Sequence, residues 1–485
     1  MENPRSSRAH DTIKRTHFTL FPSLPHLNSP SQLREMISLK GLLLLLSLPI
    51  KLLWVIIRYP FFGGANEKFK NSLINSLKLQ IYRFGLSLSV KDALYVGIMS
   101  NYFIINRLLK LLYPGLTKLN NYGKRYDKQS IWLVEAKNRS KSDPIIIYCH
   151  GGGYFLETQP SQIESVLSFY HLLDEEKKLK TSILVQEYGL AGKGSLIGSQ
   201  LYELVATYDK LASEGNDNIV IMGDSAGGNL AVVLLQYLKQ QKNPKLPWPR
   251  SAVLISPWVK IIPDEHQITP GNSFHENKDR DMIQAHIFTE DRRVDLLGDT
   301  NHADLLVSPG NLEYNASDWS DIPTLNGKGY STFVLVGEHE SFRDDVMEWA
   351  KHAINSPLVP QKQDSRGSFD SRVHEYKTDG ENGAYVDIAV EPWGVHDSVL
   401  FFENTIIRKL RKTPHLQLKN LNKVEYFGVI KITEFLNKTL VVGDEAKKLR
   451  IVDTTQITKA NGKVAENDVQ AVAEEVNSVL DGVRA

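Results

Sequence analysis

The chain has 485 residues, 42% of them hydrophobic and 23% charged, which is ordinary globular composition with ample material for a buried core. Its formal net charge of +1 gives no electrostatic reason to expect a nucleic-acid partner. A single cysteine, Cys149, excludes an intramolecular disulfide, and its place inside an apolar run makes it a small buried hydrophobe rather than half of a Cys-His dyad.

Residues 1–35, rich in Ser, Pro and Arg, read as a disordered tail. Residues 36–62 follow as a transmembrane signal anchor, with Leu42 to Leu46, Leu48, Ile50, Leu52, Leu53, Val55, Ile56 and Ile57. Those side chains favour insertion by roughly 4–7 kcal/mol in total, while Lys51 costs about 3 kcal/mol at most. Pro49 leaves open a kink or a re-entrant hairpin. A cleaved signal peptide fits less well, because Arg58-Tyr59-Pro60 is no small-residue cleavage site. Arg5, Arg8, Lys14, Arg15 and Arg34 favour a cytosolic N-terminus, although Lys68, Lys70 and Lys78 blunt the bias. Sequons at Asn138, Asn315 and Asn437 all lie beyond the anchor. The expectation is a single-pass protein of the endoplasmic reticulum membrane with a lumenal main domain.

Residues 63–129 carry apolar residues at helical spacing, among them Leu73, Leu77, Ile81, Tyr82 and Phe84. Pro144 to Cys149 reads as a buried strand running into His150-Gly151-Gly152-Gly153-Tyr154. Asn218 to Met222 reads as a second strand, ending at Gly223-Asp224-Ser225-Ala226-Gly227-Gly228, and Ala226 to Gln241 as the helix after it. Strand, tight turn and helix are the setting of a G-x-S-x-G nucleophile elbow, and a glycine loop after an earlier strand can offer backbone N–H groups to an oxyanion.

Residues 259–325 form a long insertion containing His266, Asp279, Asp281, Asp291 and Asp299. Their spacing matches no metal-ligand pattern, so they read as solvated loop and no metal or other cofactor is expected. Thr332 to Gly337 reads as a buried strand followed by four acidic candidates, Glu338, Glu340, Asp344 and Asp345. His396 lies between a strand-like stretch and an apolar helical stretch from Ser398 to Leu410, and is the expected base for the serine. Asp397 reads as a helix N-cap. Residues 413–485 form an extension without an assigned role, in which Glu466 to Leu480 has helical character.

The HGGG and GDSAGG strings resemble the hormone-sensitive lipase family of α/β-hydrolases. That resemblance covers about residues 130–412 and implies an α/β-hydrolase fold, a mostly parallel sheet flanked by helices, with residues 63–129 and the 259–325 insertion forming a helical cap. It implies Ser225 as nucleophile, His396 as base, and Gly152, Gly153 and Ala226 as oxyanion donors, with His150, Gly151 and Asp224 completing the motifs. The family's G-x-x-D-x-L-x-D-D/E string falls on Gly337 to Asp345, putting Glu340 at the acid position, with Asp344 as the alternative acid. The D-Y-R-L-A-P-E string survives only as Glu187-Tyr188-Gly189-Leu190-Ala191-Gly192-Lys193. With an anchor, the layout resembles the membrane-bound fungal branch that deacetylates sterol acetates. The implied partners are a lipid or sterol ester and the bilayer. A general lipase, a xenobiotic carboxylesterase and a non-catalytic lipid binder on the same fold are the alternatives.

Overall fold

The computed structural model describes residues 37–97 and 99–443. The expected tail at 1–35 and the helical stretch 466–480 lie outside the described residues. The described residues form eight strands: β1 (Ser130–Val134), β2 (Ile145–Cys149), β3 (Ser182–Gln186), β4 (Ile219–Asp224), β5 (Ser251–Ile255), β6 (Ser331–Gly337), β7 (Glu375–Lys377) and β8 (Tyr385–Glu391). They form one sheet in the order β1-β3-β2-β4-β5-β6-β8-β7. Neighbouring strands from β3 to β8 are parallel, while β1 and β7 run antiparallel at the two edges. Every residue of β2, β4, β5 and β6 is buried, which is why these strands read as continuous apolar runs with no polar alternation.

The principal helices are α1 (Leu39–Phe62), α2 (Leu73–Ser87), α3 (Pro160–Leu172), α4 (Ser199–Ser213), α5 (Ala226–Gln241), α6 (Glu290–Leu297), α7 (Arg343–Ala353) and α8 (Phe427–Thr439). A sheet of this order, with α5 leaving the end of β4 through a one-residue turn at Ser225, is the α/β-hydrolase fold. Ser225, the glycine loop after β2, the acidic loop after β6 and His396 after β8 all stand at the carboxyl ends of parallel strands, where open α/β sheets place their sites.

Three details differ from the sequence expectations. Pro49 and Pro60 sit inside one continuous α1, so no hairpin forms there. The stretch after His396 is not one helix: Ser398–Phe401 is followed by a short 3-10 turn and a second helix, Ile406–Lys412. Residues 413–443 also do not stand apart, because α8 packs against the sheet. Phe435 is buried against Phe333 of β6 (ring centroids 5.2 Å) and Tyr385 of β8 (6.0 Å). The backbone of Gly428 fits so closely that a Cβ would come within 2.6 Å of Val399. The helix carries no motif, and only its apolar face marks it as core. Phe435→Ala is therefore expected to cost about 3–5 kcal/mol of stability, measured by denaturant unfolding of the solubilised full chain.

Candidate active site

Ser225 occupies the single position between β4 and α5, with φ 50° and ψ −115°. This is a sparsely populated conformation for a residue with a side chain, and such strain persists only where the surroundings enforce it. Here they do: Ser225 N donates to Ile255 O at 3.0 Å, and Ser225 O accepts from Trp258 N at 2.9 Å. The turn is tight enough that a Cβ on Gly223 would lie 2.2 Å from Gly227 O, and one on Gly227 would lie 2.0 Å from Cys149 O.

The glycine loop wraps around the same point. Gly152 and Gly153 have φ of 116° and 60°, which residues with a Cβ rarely adopt. A Cβ on Gly151 would meet Asp224 Oδ2 at 2.4 Å, so the loop lies directly on the elbow. His150 is buried, its Nδ1 2.6 Å from Gly151 O, and its ring is stacked on Tyr188 at 4.3 Å. Tyr188 Oη also donates to His150 O at 2.6 Å, so this residue of the partly retained string braces the glycine loop. Burial holds the His150 pKa down to about 4, so it stays neutral near pH 7 and serves as scaffold. Gly152 and Gly153 border the same cavity as Ser225 and His396, and Ala226 N lies at the first position of α5, where helix amides lack intrahelical acceptors.

Of the four acidic candidates after β6, only Glu340 meets His396. Its Oε1 lies 2.9 Å from His396 Nδ1, and its Oε2 accepts from Ser256 Oγ and Gly337 N, both at 2.8 Å. The others are engaged elsewhere. Glu338 accepts from Ser365 N and Trp393 N, Asp345 from Gln267 Nε2, and Asp344 from Ser273 N at 2.7 Å and the Arg343 side chain at 2.9 Å. Asp344 thus sits in the first turn of α7 but fixes a neighbouring segment rather than capping its own helix. Glu338, His339 and Asp364 cluster closely enough for metal ligation, yet each is already engaged in hydrogen bonds or ion pairs that tie residues 364–366 to this loop.

Two residues behave differently from the sequence expectation. Asp281, read as part of a solvated loop, is fully buried. Its Oδ1 accepts from His396 N at 2.8 Å and its Oδ2 from Ser341 N at 2.7 Å, so one carboxylate joins the His396 loop to the Glu340 loop. Nothing in its spacing marked it, because the contact spans 115 residues of chain. Asp397 stands at the expected N-cap position, but φ 50° turns its side chain away from the helix and it makes no capping bond. Its Oδ2 instead lies 3.1 Å from His396 Nε2. Ser256 Oγ, also missed, links the groups by donating to Glu340 while accepting from Asp397 N at 3.1 Å.

The electrostatics follow from this crowding. Burial pushes the Asp224 carboxyl up to about 8, helped by the nearby charge of Asp397, and burial raises Asp397 as well. In both carboxyls burial disfavours the charged form. Burial pushes Asp281 up to about 6 against the opposing pull of His396. For His396, burial favours the neutral ring, but the neighbouring Asp397 and Glu340 outweigh it and hold its pKa well above the usual histidine value.

Ser225, His396 and Asp397 open onto a cavity of about 320 Å³, within the ordinary size range of small-ligand sites. Its walls are mainly apolar, built from α2, the 259–325 insertion and part of α1. Arg292 of α6 is half-buried beside it, donating to Leu86 O at 2.7 Å and Leu88 O at 2.6 Å, and so pins the insertion to the end of α2. Of the sequons, Asn138 and Asn315 are exposed, whereas Asn437 is half-buried and accepts from Asp174 N at 2.9 Å.

Comparison with known proteins agrees with this frame. The family description "Steryl acetyl hydrolase" matches residues 115–363, which include the glycine loop, the elbow and Glu340. A Schizosaccharomyces pombe protein named as a steryl acetyl hydrolase, mug81, is 31% identical over 334 residues, covering 65% of this chain and 84% of that protein. Steryl acetyl hydrolase 1 of Saccharomyces cerevisiae is 31% identical over 122 residues, 24% of this chain and 27% of that protein. A crystal structure of an esterase from the bacterial hormone-sensitive lipase family aligns over 75% of this chain and 98% of its own, with 18% identity and a TM-score of 0.44. With its family-typical elbow, glycine loop and acid loop lying inside the matched span, this chain belongs to the steryl acetyl hydrolase family of carboxylic ester hydrolases.

Proposed function

We propose that this enzyme removes the acetyl group from sterol acetates dissolved in a membrane, with Ser225, His396 and Glu340 as its catalytic triad. The observation that carries the chemistry is the buried 2.9 Å contact between Glu340 Oε1 and His396 Nδ1 beside an apolar cavity bordered by Ser225. The sterol ester is suggested by the relatives' names and suits those apolar walls.

The steps follow from the geometry. Glu340 fixes the tautomer in which Nδ1 carries the proton, leaving the Nε2 lone pair free to act as base. Nε2 exchanges its Asp397 neighbour for the Ser225 hydroxyl, takes that proton, and Ser225 Oγ bonds to the acetyl carbon. The N–H groups of Gly152, Gly153 and Ala226 receive the oxyanion. His396 returns the proton to the departing alcohol oxygen. Water, deprotonated by the same nitrogen, then splits the acyl-serine to acetate. No step calls for a metal or organic cofactor.

α1 is long and apolar enough to cross a membrane. Placement in the endoplasmic reticulum membrane with the catalytic domain in the lumen is part of the same proposal, supported by the exposed sequons at Asn138 and Asn315. Glycosidase-sensitive mobility and protection from added protease in intact microsomes are the expected results; digestion by that protease contradicts the orientation.

The substrate and the nucleophile are tested together in microsomes with sterol acetates, p-nitrophenyl esters and triacylglycerol. Sterol acetate is expected to be the best substrate of the three. Ser225→Ala should abolish hydrolysis and fluorophosphonate labelling; persistent labelling at another serine refutes the assignment. If the wild-type protein itself resists the probe, it is a lipid binder on a hydrolase fold.

Glu340→Gln should lower kcat by about 10⁴-fold, because an amide there favours the wrong tautomer. Asp344→Asn should leave kcat near wild type, since that carboxylate serves Ser273 N. The opposite ranking would move the acid to Asp344.

The pH dependence gives a separate check. Activity needs neutral His396, so the acidic limb of the kcat/KM profile follows its pKa. Asp397 raises that pKa. Asp397→Asn is therefore expected to shift the acidic limb to lower pH, and a shift to higher pH would show that Asp397 acts in some other way.

A further inference from the structure

The cavity beside Ser225 does not end at the catalytic domain. Leu45 and Leu48 of α1 line it together with residues of α2 and the insertion. Leu48 is partly buried against the core, while Leu45 is 40% exposed. A side chain that borders a cavity and is also open to the outside marks its rim. Ile81 and Val96, at 44% and 39% exposed, share both properties. The rim on this side is thus three apolar residues, one of them on the strongly apolar α1.

α1 is held in this position along its whole length. Its less exposed residues are Gly41, Leu44, Leu48, Leu52, Val55 and Tyr59, a single stripe at i, i+3/i+4 spacing, apart from Ser47 beside it. At its start, Ser38 N and Oγ both donate to the Asp92 carboxylate at 2.7 Å, and a Cβ on Gly41 would lie 2.6 Å from Asp92. At its end, Gly64 N donates to Lys70 O at 2.8 Å, and nearby Lys68 pairs with Glu391 at the end of β8. The opposite face bears Leu42, Leu43, Leu46, Ile50, Leu53 and Trp54, all exposed. Such a continuous apolar surface is stable only under an apolar cover. A helix of 24 residues is about 36 Å long, and this one is contiguous with the cavity rim, so the cover that fits is the hydrocarbon of a bilayer.

We infer that α1 is a wall of the substrate site as well as a membrane attachment, and that the ester reaches Ser225 sideways from the lipid through a mouth rimmed by Leu45, Ile81 and Val96, with Leu48 just inside it. An ester following this path never crosses water, so a strongly apolar alcohol can be a substrate despite negligible solubility. The inference rests on the ester-hydrolase reading above but not on the sterol itself.

The test uses the full-length chain in microsomes and compares two substrates: cholesteryl acetate in phosphatidylcholine vesicles and p-nitrophenyl acetate in water. Leu45→Trp and Leu48→Trp narrow the mouth and are expected to lower the ratio of the two kcat/KM values at least tenfold. Leu43→Trp, on the outer face, should leave the ratio unchanged. Leu48→Cys gives a milder second route, because Cys149 is buried and the introduced thiol is the accessible one. A bulky maleimide on it should reproduce the loss, and excess vesicle substrate should slow the labelling. An unchanged ratio in both tryptophan variants and in the labelled cysteine variant overturns the inference. So does an equal fall for both esters in the maleimide experiment, which would mean that α1 only supports the fold. If the wild-type protein hydrolyses triacylglycerol but not cholesteryl acetate, the sterol reading fails, and the same ratio taken with triacylglycerol still decides the role of α1.

Discussion

The site depends on keeping an imidazole and a carboxylate together in a place without water. Glu340 and His396 are both buried, and leaving either unpaired there would cost several kcal/mol. The surrounding chain answers that cost with donors. Ser256 Oγ and Gly337 N satisfy one oxygen of Glu340 while His396 satisfies the other. Asp281 then ties the two loops together through their backbones, at His396 N and Ser341 N. The parallel register of β6 and β8, with Gly337 opposite Glu391, brings both loops to the same level of the sheet before any side chain acts.

How much of this was legible from sequence follows from the range of each constraint. The elbow and the glycine loop are local: a turn in which a Cβ would sit 2.0 to 2.2 Å from backbone atoms permits nothing but glycine, so those constraints are written in adjacent letters. The strands were legible for a similar reason, since complete burial on both faces leaves unbroken apolar runs. Asp281 was not, because its partners are contributed by loops 60 and 115 residues away and an acidic residue in an insertion looks like any solvated one. Asp397 misled because aspartate before a helix ordinarily caps it. Only the left-handed backbone, invisible in the sequence, sends its carboxylate toward His396. The helix α8 was missed as part of the core because family motifs end before it, although its apolar face is complete.

Asp397 and Asp224 give the site a second layer of acid–base behaviour. Four buried carboxyls, Asp224, Asp281, Glu340 and Asp397, gather around one imidazole. Gathering carboxyls in one buried volume disfavours their charged forms. Burial raises the pKa of Asp224, Asp281 and Asp397, so these are carboxyls whose charged form the site disfavours. Tyr148 and Gln162 stabilise Asp224 by donating to its two oxygens at 2.6 and 2.7 Å. The motif aspartate beside the serine therefore acts as an anchor for the strand, loop and helix that frame the elbow.

The chemistry and the specificity of this enzyme occupy different layers of the fold. Ser225, Glu340 and His396 are carried on turns at the ends of buried strands, where a shift of an ångström would disturb the core. The cavity walls come largely from α1, α2 and the insertion, segments outside the sheet. Such walls can change without moving the reacting atoms, which is how one hydrolase frame serves many esters. In this chain the wall extends to Leu45 and Leu48 of α1, and Arg292, holding Leu86 O and Leu88 O, keeps the insertion and the end of α2 together where they meet the cavity. On the proposed route from the lipid, the bilayer would set which esters can present themselves at the mouth, and the proposed triad would need no further discrimination than an acyl carbon within reach of Ser225.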